Sequence, residues 1–168
     1  MRARLKGRAL KPVQNRTQSL TPRSLLLFAT LRNERARLPY FLKYYRDLGI
    51  EQFLMVDNGS DDGSAEYLAA QPDVSVWSTN ASYKDARYGM DWLNALLRKY
   101  AHGRWALVVD VDEFFLYPFC DTRPLRALTD WLDDAGLRSF GTLILDMYPR
   151  GPVNDQPCEP PAIFSDND

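Results

Sequence analysis

The sequence WALVVDVDEFF, residues 105–115, runs from an apolar segment directly into acidic residues. Its apolar first half has the length and composition of a buried β-strand, which we predict over Trp105–Val111. Side chains two residues apart point to the same side of a strand. We therefore expect Asp110 and Asp112 to face one way and Val111 the other, so that two carboxylates share the carboxyl end of this strand.

Two carboxylates held close together repel each other, and burial raises the cost of ionising both. A divalent cation removes that cost, and Mn²⁺ and Mg²⁺ prefer oxygen ligands, with water and phosphate oxygens completing the shell. The sequence has one histidine and two cysteines and no spacing typical of a zinc site. Asp110 and Asp112 are therefore candidate ligands of Mn²⁺ or Mg²⁺. The alternative is a pair of solvated loop acids.

Strand and helix signals alternate along the rest of the chain. Apolar runs predict four further strands, over residues 25–31, 53–57, 74–77 and 142–145. Apolar residues at helical spacing predict helices beginning near residues 38, 65, 90 and 124. This alternation predicts an α/β fold, in which a mainly parallel sheet carries helices on both faces. Right-handed crossovers then place the carboxyl ends of the strands at one edge, where ligands bind.

Polar residues follow three of these strands at that predicted edge. Thr30 and residues 33–34 end the first strand, Asp57 ends the second, and Asp110 and Asp112 end the fourth. A polar residue after one strand is an ordinary loop start. Their coincidence at a single edge predicts a ligand site.

Composition restricts the function classes. The 168 residues suffice for one domain with a core. Residues 1–24 hold seven basic residues and no acid, which leaves 14 basic and 22 acidic residues, a net charge of −8, in the remainder. An acidic body argues against a nucleic-acid partner.

No apolar run reaches the length of a transmembrane segment and no secretory signal is present, so we expect a cytoplasmic protein, either free or peripheral to the membrane.

These motifs resemble those of family 2-type glycosyltransferases with the GT-A fold, in the branch that carries an Asp-Asn-Gly-Ser-x-Asp-Gly turn and an Asp-x-Asp-Glu-Phe element. The resemblance covers roughly residues 25–150. The matching segments are Asn33-Glu34, VDNGSDDGS (56–64), ARYGM (86–90, with tyrosine where the family has asparagine), residues 105–115, and DMYP (146–149).

The resemblance implies a Rossmann-like nucleotide-diphospho-sugar transferase and assigns roles to single residues. Asp57 would accept a hydrogen bond from the base or ribose of the donor. Asn33, Glu34 and Thr30 would line the same nucleotide pocket, and Arg87 would contact the base or the diphosphate.

The resemblance also implies that Asp112 ligates the metal directly, while Asp110 contacts the ribose or a metal-bound water. It divides the chain into a disordered basic arm (1–23), a donor-binding GT-A domain (24–148) and a Pro/Asp-rich tail (149–168) that begins an incomplete acceptor region.

The implied reaction transfers a sugar from a nucleotide-diphosphate sugar to an acceptor hydroxyl with inversion. The acceptor is a glycan, lipid or protein that the sequence does not specify. The catalytic base of the family lies well downstream of the Asp-x-Asp. Asp146 is the candidate in the stretch that remains, although it falls within or at the end of a predicted strand. The sequence is therefore interpreted as C-terminally truncated, a fragment or a donor-binding domain.

Two alternatives stay open. One is a non-catalytic nucleotide-sugar-binding module, because no base is identified. The other is a phosphatase of the haloacid dehalogenase type, which also places Asp-x-Asp after an apolar strand. That fold normally carries the motif on its first strand and needs a later lysine, whereas no lysine follows Lys99 here.

Overall fold

The computed structural model describes residues 5–146. Its centre is a sheet of five strands: β1 (Lys11–Gln14), β2 (Leu26–Leu31), β3 (Gln52–Asp57), β4 (Val74–Ser78) and β5 (Ala106–Val108). Their spatial order is β1-β4-β3-β2-β5. The pairs β2–β3, β3–β4 and β2–β5 are parallel, while β1 runs antiparallel to β4. The sheet is therefore mixed, with four parallel strands and one antiparallel edge strand.

Within the described residues, four α-helices accompany the sheet: α1 (Leu38–Asp47), α2 (Ser64–Ala70), α3 (Met90–Tyr100) and α4 (Leu125–Asp134). Pro39 lies in the first turn of α1, where its missing N–H leaves no hydrogen bond unmade. Gly63 and Gly89 precede α2 and α3 in the left-handed region, with φ of 86° and 79°. Glycine adopts this conformation without a steric penalty.

The central strand β2 shows how both faces of the sheet are covered. All six of its residues are buried. Leu27 and Ala29 join a core that includes the apolar face of α1. Leu26 and Phe28 point the other way, into a second core with Trp92 and other residues of α3. The predicted α/β architecture with helices on both faces is confirmed.

The prediction of disorder over residues 1–23 is wrong for the segment that forms β1. Lys11 and Pro12 pair with residues of β4, and the edge position tolerates a proline. The side chain of Arg16 donates to the carbonyl of Ala69 over 3.1 Å, and its backbone N–H donates to Ser75 Oγ over 2.9 Å. The segment is ordered because β4 offers it a free strand edge.

The other edge of the sheet is shorter than the sequence predicts. The predicted strand Trp105–Val111 is reduced to Ala106–Val108, which among the described residues pairs with β2 alone. The strand predicted over Thr142–Leu145 is absent: residues 141–146 have no regular structure, and Leu143 is 91% exposed. A strand needs a partner of matching length, and β5 pairs over three residues only. An apolar groove of about 330 Å³ lies beside β5 and α4.

No helix in residues 5–146 is both long and apolar enough to span a bilayer. The predicted tail, residues 149–168, lies outside the described residues.

Candidate functional site

A cavity of about 320 Å³ opens where β2, β3 and β5 end. We call it the strand-end pocket. Its lining comes from these three strand ends and from the loop after β4: Thr30, Leu31, Arg32, Glu34, Asn58, Tyr83, Asp110, Val111 and Asp112. Four predicted site residues are thus brought together: Thr30, Glu34, Asp110 and Asp112. Four others, Asn33, Asp57, Arg87 and Asp146, are not among the residues that line it.

The two acids after β5 lie in the turn that follows the strand, yet they keep the predicted alternation. Asp110 and Asp112 are exposed, whereas Val111 is 4% exposed. Glu113 holds the turn: its backbone N–H donates to the Asp110 carbonyl over 3.1 Å, and its Oε2 accepts the Asp110 N–H over 2.9 Å. The acids therefore face the strand-end pocket with their backbone fixed.

The charge around Asp110 is unfavourable without a cation. Partial burial raises the pKa of the Asp110 carboxyl, and the negative charges of Glu113 and Asp112 raise it further. In the described part of the chain, no group of three His, Cys, Asp or Glu side chains is arranged to hold a metal ion. A cation at Asp110 and Asp112 would therefore depend on ligand phosphates and water for its remaining ligands, as Mg²⁺ sites on phosphate substrates commonly do. The donor set fits a hard divalent ion.

Asp57, at the end of β3, is 3% exposed. Its Oδ2 accepts the backbone N–H groups of Gly59 and Ser60 over 3.1 and 3.2 Å. Its Oδ1 is buried and has no hydrogen-bond partner among the described residues. The carboxylate thus closes the turn after β3, and the donor-binding role expected for it stays a prediction.

Hydrogen bonds tie the loop after β2 to the loop after β3. Asn33 has a φ of 58°, donates its N–H to Ser60 Oγ over 2.9 Å and accepts the Asp61 N–H at Oδ1 over 3.0 Å. Glu34 forms an ion pair with Arg37 at 2.6 Å. The side chain of Asn33 is therefore engaged in joining the loops, while that of Glu34 lines the pocket with its charge paired.

Arg87 and Asp146 are not among the residues that line the strand-end pocket. The Arg87 Nε donates over 2.9 Å to Oδ1 of Asp91, which is fully buried at the start of α3. This ion pair ties the guanidinium of Arg87, in the loop before α3, to the first turn of that helix. Asp146 is exposed. Roles for Arg87 in donor binding and for Asp146 as a base stay predictions that this geometry does not favour.

Sequence reasoning missed Tyr83, which comes from the loop between β4 and α3. Burial raises the pKa of its hydroxyl, and the negative charge of Asp110 raises it further, so the hydroxyl lies within the electrostatic field of Asp110. Gly89 lets the Tyr83 ring and the Thr30 side chain lie close to the backbone before α3, because a Cβ at Gly89 would lie 2.8 Å from Thr30 Oγ1 and 3.0 Å from Tyr83 Cε2. The available signal was an aromatic residue in a turn-rich loop that leads into a helix.

Two curated plant proteins are similar to this chain. One, from Oryza sativa subsp. japonica, is 26% identical over 103 residues, which cover 56% of this chain and 16% of the relative. The other, from Ricinus communis, is 26% identical over 105 residues, covering 58% and 18%. Both are named glycosyltransferase family 92 proteins. The chain spans less than a fifth of the length of either relative. No protein family model and no solved structure matches the sequence.

These similarities support a glycosyltransferase in general. They do not support the expected family 2 assignment, because family 92 is a different family. The mixed α/β sheet is compatible with a Rossmann-like fold, while the narrower GT-A expectation has no structural neighbour to support it.

Proposed function

We propose that this chain is the donor-binding part of a glycosyltransferase. In this proposal the strand-end pocket binds the diphosphate of a nucleotide-sugar through Mn²⁺ or Mg²⁺ held by Asp110 and Asp112, in a GT-A-like arrangement. The observation that carries the proposal is the exposure of these two adjacent carboxylates in a pocket at the carboxyl edge of a parallel sheet, in a chain similar to glycosyltransferases. Such an edge is where ligands bind in open α/β sheets.

The acidic residues of the pocket would bind the metal ion, and its basic residue would contact the phosphates. A divalent ion bound there would neutralise the charge that develops on the departing nucleoside diphosphate. Asp112 would ligate that ion, and Asp110 would share it or hold one of its waters. Arg32 is exposed and lines the same pocket, so its guanidinium can contact phosphate oxygens. The sugar would then pass with inversion to an acceptor hydroxyl.

A second candidate function is binding of a nucleotide-sugar without transfer. It is favoured by the position of Asp146, which does not line the strand-end pocket. The enzyme proposal therefore takes the base from a part of the protein outside the described residues. Mn²⁺-dependent sugar transfer or donor hydrolysis by the chain would reject the pure binding module.

The test of the donor site is a thermal-shift panel of nucleoside diphosphates with and without Mn²⁺. We expect stabilisation that requires both, of about 2.7 kcal/mol when the nucleotide is present at a hundred times its Kd. Asp112→Ala should abolish the shift. Glu66→Ala, which removes an exposed acid on α2, is the matched control and should keep it. Stabilisation that persists in EDTA, or in Asp112→Ala, would contradict the proposed site.

A further inference from the structure

Tyr83 is the aromatic member of the strand-end pocket as far as residues 5–146 define its lining. Its side chain is 40% exposed. The other lining residues are acids, aliphatic side chains, an arginine, a threonine and an asparagine. Two acids of this pocket, Asp110 and Asp112, form no ion pair within residues 5–146, and a metal site built on them would not need an aromatic ring. The ring therefore favours a ligand that has a flat apolar part.

The Tyr83 ring is held in place by two other aromatic rings that do not line the pocket. Tyr88 meets it edge-on, with ring centroids 5.8 Å apart and an interplanar angle of 82°. Trp92, fully buried on α3, lies 6.3 Å from it. The carbonyl of Tyr83 accepts the N–H of Tyr88 over 2.9 Å and that of Ala86 over 3.2 Å. The ring is therefore oriented before any ligand arrives, which lowers the entropy cost of binding to it.

Next to this ring lies a polar group without a partner. Thr30 is 8% exposed, and its Oγ1 is buried with no hydrogen-bond partner in the described part of the chain. Thr30 lines the pocket, and a Cβ on Gly89 would touch both its Oγ1 and the Tyr83 ring. A buried hydroxyl left unpaired is unfavourable, and a ligand atom that bonds to it would relieve the cost.

The strand-end pocket therefore has two chemically different parts. Asp110 and Asp112 form one part, which suits a metal-bound diphosphate. Tyr83 and Thr30 form the other, which offers a flat ring and a single hydroxyl. A nucleoside diphosphate has the same division, with a charged diphosphate at one end and an aromatic base attached to a hydroxyl-bearing ribose at the other.

We propose that Tyr83 stacks on the nucleobase of the donor and that the Thr30 hydroxyl bonds to a polar group of the same nucleoside. This proposal rests on the proposed donor site, because Asp110 and Asp112 must hold the diphosphate for the base to reach Tyr83. Stacking on an aromatic side chain tolerates every base, since each has a π-face. Tyr83 would thus supply affinity for nucleotides, and Thr30 would supply discrimination.

The test compares two probes in the presence of saturating Mn²⁺: inorganic pyrophosphate, which lacks a nucleoside, and the nucleoside diphosphate that stabilises the chain most in the thermal-shift panel. Both are titrated by calorimetry. Tyr83→Ala should weaken the nucleotide roughly ten- to hundredfold and change pyrophosphate binding by less than about twofold. Tyr83→Phe keeps the ring and should bind the nucleotide within about threefold of the unaltered chain.

Two further variants separate stacking from general damage. Trp131→Ala removes an aromatic ring on α4 that is 57% exposed and does not line the pocket, and it should leave both affinities nearly unchanged. Thr30→Val keeps the side-chain shape and should weaken the nucleotide alone. Should Tyr83→Ala fail to fold, Tyr83→Leu replaces it, with loss of nucleotide affinity expected for leucine and retention for phenylalanine.

The outcomes distinguish this inference from the proposed function. Equal weakening of both probes in Tyr83→Ala, or no weakening of the nucleotide, would overturn the stacking role while the metal-bound diphosphate site stands. Absence of Mn²⁺-dependent binding of either probe to the unaltered chain would overturn the donor site itself, and the role of Tyr83 with it.

Discussion

The aspartate that ends β3 and the two aspartates that follow β5 occupy opposite environments, although each follows an apolar run in the sequence. Asp57 is 3% exposed and its carboxylate accepts two N–H groups of its own turn. Asp110 and Asp112 are exposed in the strand-end pocket. The strands differ in position: β3 lies between β2 and β4, so loops close over its end, whereas β5 is the edge strand. A strand-end acid thus serves the backbone at the centre of this sheet and remains available to a ligand at its edge.

The largest expected effect tests whether Asp57 stabilises the fold while Asp112 does not. Asp57→Ala should lower the free energy of unfolding by about 2–3 kcal/mol, because two turn N–H groups lose a charged acceptor in a buried place. Asp112→Ala should change it by less than about 0.5 kcal/mol, as expected for an exposed side chain. Urea unfolding of both variants measures the difference. Losses of equal size would remove the distinction between the two strand ends.

Two glycines, one after β3 and one beside the strand-end pocket, give the next largest expected difference in stability. Gly63 belongs to the turn region after β3, and a Cβ there would meet nothing within 4 Å. Gly89 lies against two lining residues of the strand-end pocket, and a Cβ there would lie 2.8 Å from Thr30 Oγ1 and 3.0 Å from Tyr83 Cε2. Both have positive φ, so each alanine variant should lose about 1 kcal/mol from backbone strain. Gly89→Ala should lose about 1 kcal/mol more from overpacking. Thermal unfolding of the two variants measures this difference. Equal losses of stability would contradict the close contact between Gly89 and Thr30.

The smallest expected effect has the opposite sign to that of Asp57→Ala. The raised pKa of Asp110 means that the folded chain favours its protonated form. Ionisation of Asp110 therefore lowers stability as the pH rises above the ordinary value of 3.8. Asp110→Asn, without metal, should be more stable than the unaltered chain at pH 7 by about a few tenths of a kcal/mol, since solvent screens the exposed charge.

This gain should shrink as the pH falls and vanish below 3.8, where the aspartate becomes protonated in both the folded and the unfolded state. Chemical denaturation at several pH values, in EDTA, measures it. A variant that is less stable at pH 7 would show that the carboxylate of Asp110 stabilises the fold, as that of Asp57 is expected to.

Most of the fold was predictable because its signals are local. The apolar runs of β2, β3 and β4, and the helical periodicity of α1 and α3, are each contained in a few residues. The strand β1 was missed because Lys11–Gln14 shows no apolar alternation, and its pairing with β4 depends on a free edge created elsewhere. The strand predicted over Thr142–Leu145 failed for the opposite reason, since its apolar residues find no partner strand among the described residues.

The site was predictable only where strand geometry alone orients the side chain. Alternation placed Asp110 and Asp112 on the same side, and the parallel sheet brought Thr30 to the same pocket. Tyr83 and Arg87 depend instead on the course of the loop before α3. That loop brings the tyrosine to the pocket and engages the arginine with Asp91, and neither outcome follows from local sequence.

The short β5 has a consequence for handling the protein. Its outer backbone groups face away from β2 without a neighbouring strand in the described part of the chain. Residues 138–140 and Thr142 contribute to the apolar groove beside β5, and Leu143, Ile144 and Leu145, which follow them, are 70–91% exposed. An uncovered strand edge near exposed aliphatic side chains is a template for edge-to-edge association between copies. Concentrated preparations of this chain should therefore tend to aggregate. Ile144→Lys, which places a charge among these aliphatic side chains, should reduce that aggregation.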